Sequence, residues 1–172
     1  TNDNLFRWLA VGIGKDFFPE NQSFVLVLGI VCFALPYIFL SSIAGFFSDR
    51  FSKRDVIVWC KYAEIGIMLL GILAISTQMI WLLFLAVFFM GAQSALFSPG
   101  KLGAIPELLK EEKVPAANGL FGLTTIGATV LGMAIGNWLS DATGHKGLDA
   151  LWLSAGCLLL FSSLCVLTSV VI

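Results

Sequence analysis

The groups in this chain best suited to chemistry stand at its start. Asn2, Asp3, Asn4 and Arg7 cluster just ahead of, and at the beginning of, an apolar stretch running from Leu5 to Gly14. Asp3 and Arg7 are four apart, so on a helix they share a face. Counting back from Lys15 at about 1.5 Å per residue puts Asp3 roughly 18 Å from the end of that stretch. That is near the midplane of a hydrocarbon core about 30 Å thick. Ionisable groups at such depth are costly and line a cavity or a pathway. The plainer alternative is a local ion pair that only neutralises itself.

Lys101 is the next candidate. It follows Phe97-Ser98-Pro99-Gly100, where Pro and Gly are expected to break the backbone. From there its ammonium could reach into a cavity and hold an anion such as a phosphate, or snorkel to the interface. Glu64 lies three residues after Lys61 and is expected to form an interfacial pair with it. Gln93, an amide inside an apolar run, suits interhelical hydrogen bonding better than ligand contact. His145 is expected in a solvated loop. Cys32, Cys60, Cys157 and Cys165 form no CxxC pair and share the chain with one histidine, so they read as small apolar residues and no metal site is expected. There is no Ser/His/Asp set, and Gly12-Ile13-Gly14 follows no strand, so it is a helix end and not a nucleotide loop. The residues point to no enzyme and no cofactor.

These side chains need elements to hold them, and the composition says which. Of 172 residues, 58% are hydrophobic and only 12% charged, against about 25% charged in a soluble domain. The mean hydropathy is +0.93. The charges gather between apolar runs, as in a polytopic membrane protein. The expected spans are the tail of a first helix at 5–14, then 24–47 with an internal Pro36, 56–77, 80–97, 118–140 and 150–172. Longer polar links are expected at 98–117 and 141–149. Arg50, Lys53, Arg54, Lys61, Lys101, Lys110 and Lys113 fall on one side of the membrane, and Lys15 and Lys146 on the other. Basic residues favour the cytoplasm, so the turn near residue 50 is expected to be cytoplasmic. Thr124, Ala128, Gly132, Gly136 and Ser140 recur every four residues as a close-packing stripe. The chain opens, without an initiator Met, on polar residues within the first expected helix and closes on Ile172 with no polar flank, so it is expected to be a fragment. Two three-helix repeats, 1–77 and 78–172, are a further expectation. The near-neutral net charge of −1 shows no basic surface for nucleic acid.

Between the second and third runs lies Gly45-Phe46-Phe47-Ser48-Asp49-Arg50-Phe51-Ser52-Lys53-Arg54. This segment resembles the signature loop between helices 2 and 3 of the major facilitator superfamily, matching at Gly45, Asp49, Arg50, Lys53 and Arg54. It departs at Ser52, where the family usually has Gly, so a less sharp turn is expected. The resemblance implies an all-α, polytopic fold, with these six helices as the N-terminal half of a twelve-helix transporter. It also implies a gating role for the five matching residues, latching this half to its missing C-terminal partner. Drug antiporters of the superfamily carry a Gly-Pro pair on the fifth helix, which is absent here. Two further segments, Asn2 to Arg7 and Ser94 to Glu107 continued by Ala117 to Leu120, resemble bacterial lysophospholipid transporters, including forms fused to a phospholipid acyltransferase. By that resemblance Asp3, Asn4 and Lys101 would contact the lysolipid headgroup, and we add Arg7. The implied activity is movement of lysophospholipid across the inner membrane by alternating access. Two alternatives remain: a proton-coupled carrier of a small polar solute working through Asp3 or Glu64, and a non-transporting anchor for an attached acyltransferase.

Overall fold

Six helices follow one another with almost nothing between them. The structure, a computed structural model, describes residues 2–146 and 148–171; the side chains of Asp49, Lys53, Lys101 and His145 lie outside what is described. The helices are α1 (Asn2–Phe17), α2 (Gln22–Arg50), α3 (Lys53–Ser76), α4 (Ile80–Leu108), α5 (Val114–Lys146) and α6 (Leu148–Val171), with short 3-10 turns at Pro19–Asn21 and Glu111–Lys113. Four segments, Pro19–Phe47, Arg54–Ser76, Ile80–Gly100 and Glu111–Ala142, are long and apolar enough to cross a membrane. The surface agrees: Ile38 is 76% exposed, Trp59 75% and Trp81 75%. Large side chains turned outward in this number suit hydrocarbon and would aggregate in water. The protein is a multi-pass, all-helical membrane protein.

Several boundaries differ from the sequence expectation. The polar link at 98–117 shrinks to 109–113, because α4 runs on through Pro99 and Pro106 to Leu108. Each proline removes one intrahelical bond, but the extended helix finds support. A Cβ at Gly100 would stand 3.8 Å from Ile57 of α3, at ordinary contact. Lys101 therefore sits on a continuing helix and not at a broken end. The link expected at 141–149 is also helical up to Lys146, which places His145 in α5 and not in a loop. The turn after α2 is sharper than Ser52 suggested. Only Phe51 and Ser52 separate α2 from α3. Ser52 adopts an extended conformation (φ −61°, ψ 130°) that any residue can take, and its Oγ accepts from the Asp55 backbone N–H at 3.1 Å. The serine caps α3, so no glycine is required there. A left-handed residue does occur at Gln78 (φ 56°), just past the end of α3.

The core lies around α1, α3 and α4, with Leu5, Phe6, Leu9, Met68, Leu83, Val87 and Met90 buried together, joined by Leu139 of α5 and Leu158 of α6. α1 packs chiefly on α5, α4 on α2 and α3, and α3 on α6. Lipid tails are as apolar as leucine, so close packing and hydrogen bonds must hold such helices together. Small residues allow the approach. Gly91 of α4 lies directly on the Phe33 carbonyl of α2, and Gly71 of α3 lies under the Phe6 ring. On α5, Gly132, Gly136 and Ser140 are buried, while Thr124 is exposed. The lower half of the four-residue stripe thus faces α1 and the upper half faces outward.

Candidate functional site

Polar side chains from four helices meet at one level of this bundle. α1 brings Asn2, Asp3, Asn4 and Arg7; α2 brings Tyr37; α3 brings Lys61 and Glu64; α4 brings Gln93 and Ser94. Glu64 is the twelfth residue of α3, so roughly 17 Å of helix lies on either side of it. Glu64 thus stands near the middle of the segment Arg54–Ser76 that is long and apolar enough to cross a membrane. It is 2% exposed, and its Oε2 accepts from Lys61 Nζ at 2.7 Å. The interfacial pair expected from the sequence is therefore a buried intramembrane pair. Glu64 Oε1 also accepts from Asn2 Nδ2 at 2.6 Å, which ties α3 to the first turn of α1.

Asp3 is held from the opposite side. Its Oδ2 accepts from Ser94 Oγ of α4 at 2.8 Å. The Tyr37 hydroxyl lies within interaction range of Asp3, Arg7 and Ser94. Gln93, beside Ser94, donates from Nε2 to the Cys60 carbonyl at 3.2 Å, linking α4 to α3 as interhelical bonding would. Neither Ser94 nor Tyr37 was singled out by sequence reasoning. The signal for Ser94 was its adjacency to Gln93 within an apolar run; Tyr37 carried none beyond its place next to Pro36.

Arg7 is arranged differently from its neighbours. Its guanidinium donates to Asn4 Oδ1 at 3.1 Å. It also lies over two rings, with Cζ 4.9 Å from the Phe33 centroid and 5.6 Å from that of Trp8. A guanidinium has five N–H donors, and stacking leaves its edges open. The site therefore offers a fixed cation with spare donors, a carboxylate and an amide within one helical turn. The Trp8 indole Nε1 is buried without a partner. No group of three or more His, Cys, Asp or Glu among the described residues could hold a metal ion.

The structure brings Asp3, Asn4 and Arg7 together. Lys101 lies seven residues beyond Ser94 along α4, about two helical turns, and its side chain lies outside the described residues. The charged turn is a separate region at the end of α2. Arg50 and Arg54 are exposed there, Arg50 over the Phe46 ring at 5.9 Å. A cavity of about 380 Å³ opens beside them, lined by Phe47, Phe51, Asp55, Trp59 and Leu96. A Cβ at Gly45 would meet nothing within 4 Å, so this glycine packs closely on no other helix among the described residues.

Comparison with known proteins bears on what this arrangement serves. The chain is 32% identical over 140 residues to the lysophospholipid transporter LplT of Cronobacter sakazakii, covering 81% of this chain and 33% of that protein. It is 33% identical over 140 residues to the protein of the same name from Escherichia fergusonii, again covering 81% of this chain and 33% of the relative. The LplT of Escherichia coli strain SE11 matches at 32% over the same shares. The chain thus spans about a third of the length of the curated relatives it matches. No solved structure matches it. The family model of the Major Facilitator Superfamily matches residues 11–171. A match that extends over nearly the whole helical bundle establishes that the chain belongs to the Major Facilitator Superfamily.

Proposed function

We propose that the intact protein moves lysophospholipid across the bacterial inner membrane by alternating access, and that this chain is the N-terminal six-helix half of a twelve-helix transporter. The observation that carries the reading is Arg7. Its guanidinium is clamped between Phe33 and Trp8, spends one donor on Asn4, and sits beside Asp3 at the level of the buried mid-span polar groups. A lysolipid head carries a phosphate, which suits a guanidinium fork, and in phosphatidylethanolamine derivatives an ammonium, which suits Asp3. Its single tail needs an apolar wall. The curated relatives bear the name of lysophospholipid transporters, which supports the same substrate class.

Asp3, Asn4 and Arg7 bind the headgroup in this proposal, and Lys101 meets it from α4. The charged turn, with Gly45, Asp49, Arg50, Lys53 and Arg54, faces the cytoplasm and latches this half against the other, releasing as the transporter changes state. The open surface at Gly45 supports a contact made outside this bundle. The packing also supports two three-helix repeats, 1–77 and 78–172: α2 lies against α4 as α5 lies against α1, the exchange that two such repeats would make.

Uptake of labelled lysophosphatidylethanolamine by the full-length protein in proteoliposomes tests the reading. Asp3→Ala and Lys101→Ala should abolish most uptake. Arg7→Lys, which keeps the charge but loses the fork, should raise KM about tenfold. Unchanged uptake in all three would remove these residues from the mechanism. Competition by small polar solutes, with none by lysolipids, would favour the proton-coupled carrier instead.

A further inference from the structure

The residues that hold the headgroup ligands in place are on α3, a helix that supplies none of them. Two bonds reach α3 from the helices that do. Asn2, the residue before Asp3, donates to Glu64 at 2.6 Å. Gln93, the residue before Ser94, donates to the Cys60 carbonyl at 3.2 Å. Asp3 and Ser94 then bond each other at 2.8 Å. The two members of the α1–α4 contact are thus each preceded by a residue pinned to the same turn of α3.

Glu64 is the anchor of this frame. It is 2% exposed, and Lys61 Nζ occupies its second oxygen at 2.7 Å. Lys61 is held in turn over the Phe97 ring at 4.6 Å. A carboxylate buried at mid-span is costly unless paired and hydrogen-bonded. Lys61 supplies the countercharge for Glu64, and Asn2 supplies the neutral donor that carries the constraint to α1. The alternative of a simple α1–α3 staple would be served by packing alone. Phe6 of α1 already packs on Gly71 of α3, about two turns further along. A second, polar fastening at the first turn of α1 bears on where Asp3 and Asn4 point.

We propose that Glu64, oriented by Lys61, is a positioning residue for the headgroup site: it sets the angular register of Asn2 to Asn4 against Ser94 without touching the ligand. The substrate part of this inference rests on the lysolipid reading above; the register part does not.

The test uses the full-length transporter with two readouts. The first is KM and maximal rate for labelled lysophosphatidylethanolamine. The second is the electron paramagnetic resonance line shape of a nitroxide attached at Asn4→Cys, in detergent and without lysolipid. Glu64→Leu removes both acceptors and should raise KM about tenfold, the size expected for losing a hydrogen bond to a charged group. It should also mobilise the nitroxide. Glu64→Gln keeps an acceptor for Asn2 and should stay within about threefold of wild type, the rest of the loss reflecting the weaker neutral bond. Met68→Ala, a core cavity elsewhere on α3, serves as the structural control: it should lower thermal stability and leave both KM and the line shape unchanged.

Glu64→Leu with wild-type KM and a wild-type line shape would overturn the proposal. So would Met68→Ala matching Glu64→Leu in both readouts, since loss of packing alone would then suffice. If the full-length wild type moves no lysolipid, the substrate reading fails while the line shape still decides the register. If Glu64→Leu is lost to misfolding, Glu64→Gln and Lys61→Leu carry the test, and a fixed nitroxide in Lys61→Leu refutes the role given to the pair.

Discussion

Gly136→Ala joins helix packing to ligand binding through a single methyl group. Gly136 is buried where α5 meets α1. A Cβ there would stand 2.5 Å from the Leu5 carbonyl oxygen and 3.2 Å from the Leu9 nitrogen. Both are backbone atoms of a helix, so no rotamer change relieves the overlap. Ordinary contact begins at 3.4 Å, and 3.4 Å less 2.5 Å leaves 0.9 Å by which α1 and α5 must separate. Overpacking on this scale costs about 1–3 kcal/mol. The better helix propensity of alanine returns about 1 kcal/mol. The expected result is a net loss of about 1 kcal/mol. The displaced turn of α1 is the one after Asp3 and Asn4, and it carries Arg7, so KM for lysolipid should rise severalfold as well. The assay is thermal unfolding of the full-length protein in detergent, followed by uptake kinetics. Gly66→Ala is the control, because a Cβ there meets nothing within 4 Å. It should be neutral or stabilising by up to about 1 kcal/mol, with KM unchanged. If Gly136→Ala melts at or above wild type with unchanged KM, the α1–α5 contact is not as tight as described, and the coupling of packing to the site fails.

Two further expectations concern the ends of α3. Ser52→Ala should lower thermal stability by about 1 kcal/mol through loss of the cap on Asp55, whereas Ser52→Gly should cost only a few tenths; equal losses in paired melts would show that the hydroxyl does not cap. Gln78→Gly should stabilise by about 0.5 kcal/mol, because glycine relieves the left-handed backbone at φ 56° and gives back part of the gain in the unfolded chain. A lower melting temperature for this variant would mean that the Gln78 side chain holds the turn.

Some of this could be read directly along the chain. The apolar runs announced six helices in the right order, four of which are, among the described residues, long and apolar enough to cross a membrane, because a bilayer requires long stretches free of charge whatever the neighbours are. The polar cluster of Asn2, Asp3, Asn4 and Arg7 stood out for the same reason. The end of α4 differs because proline and glycine break helices only as a local tendency, and α4 runs on through Pro99 and Pro106 to Leu108, with Gly100 at ordinary contact distance from Ile57 of α3. Ser52 looked like a poor substitute for glycine, although Ser52 followed three residues later by Asp55 is itself a cap pattern.

Composition and spacing decide which segments enter the lipid and which groups are too polar to lie there idle, since both follow from the cost of exposing charge or backbone to hydrocarbon. They do not decide partners. That Asp3 meets Ser94, that Asn2 meets Glu64, and that Arg7 is clasped by Phe33 and Trp8 depends on how the helices cross. Those crossings are set by where glycines such as Gly91 and Gly136 let one backbone rest on another. Residues tens of positions apart become neighbours only when the bundle closes, and the bonds between them belong to the folded protein.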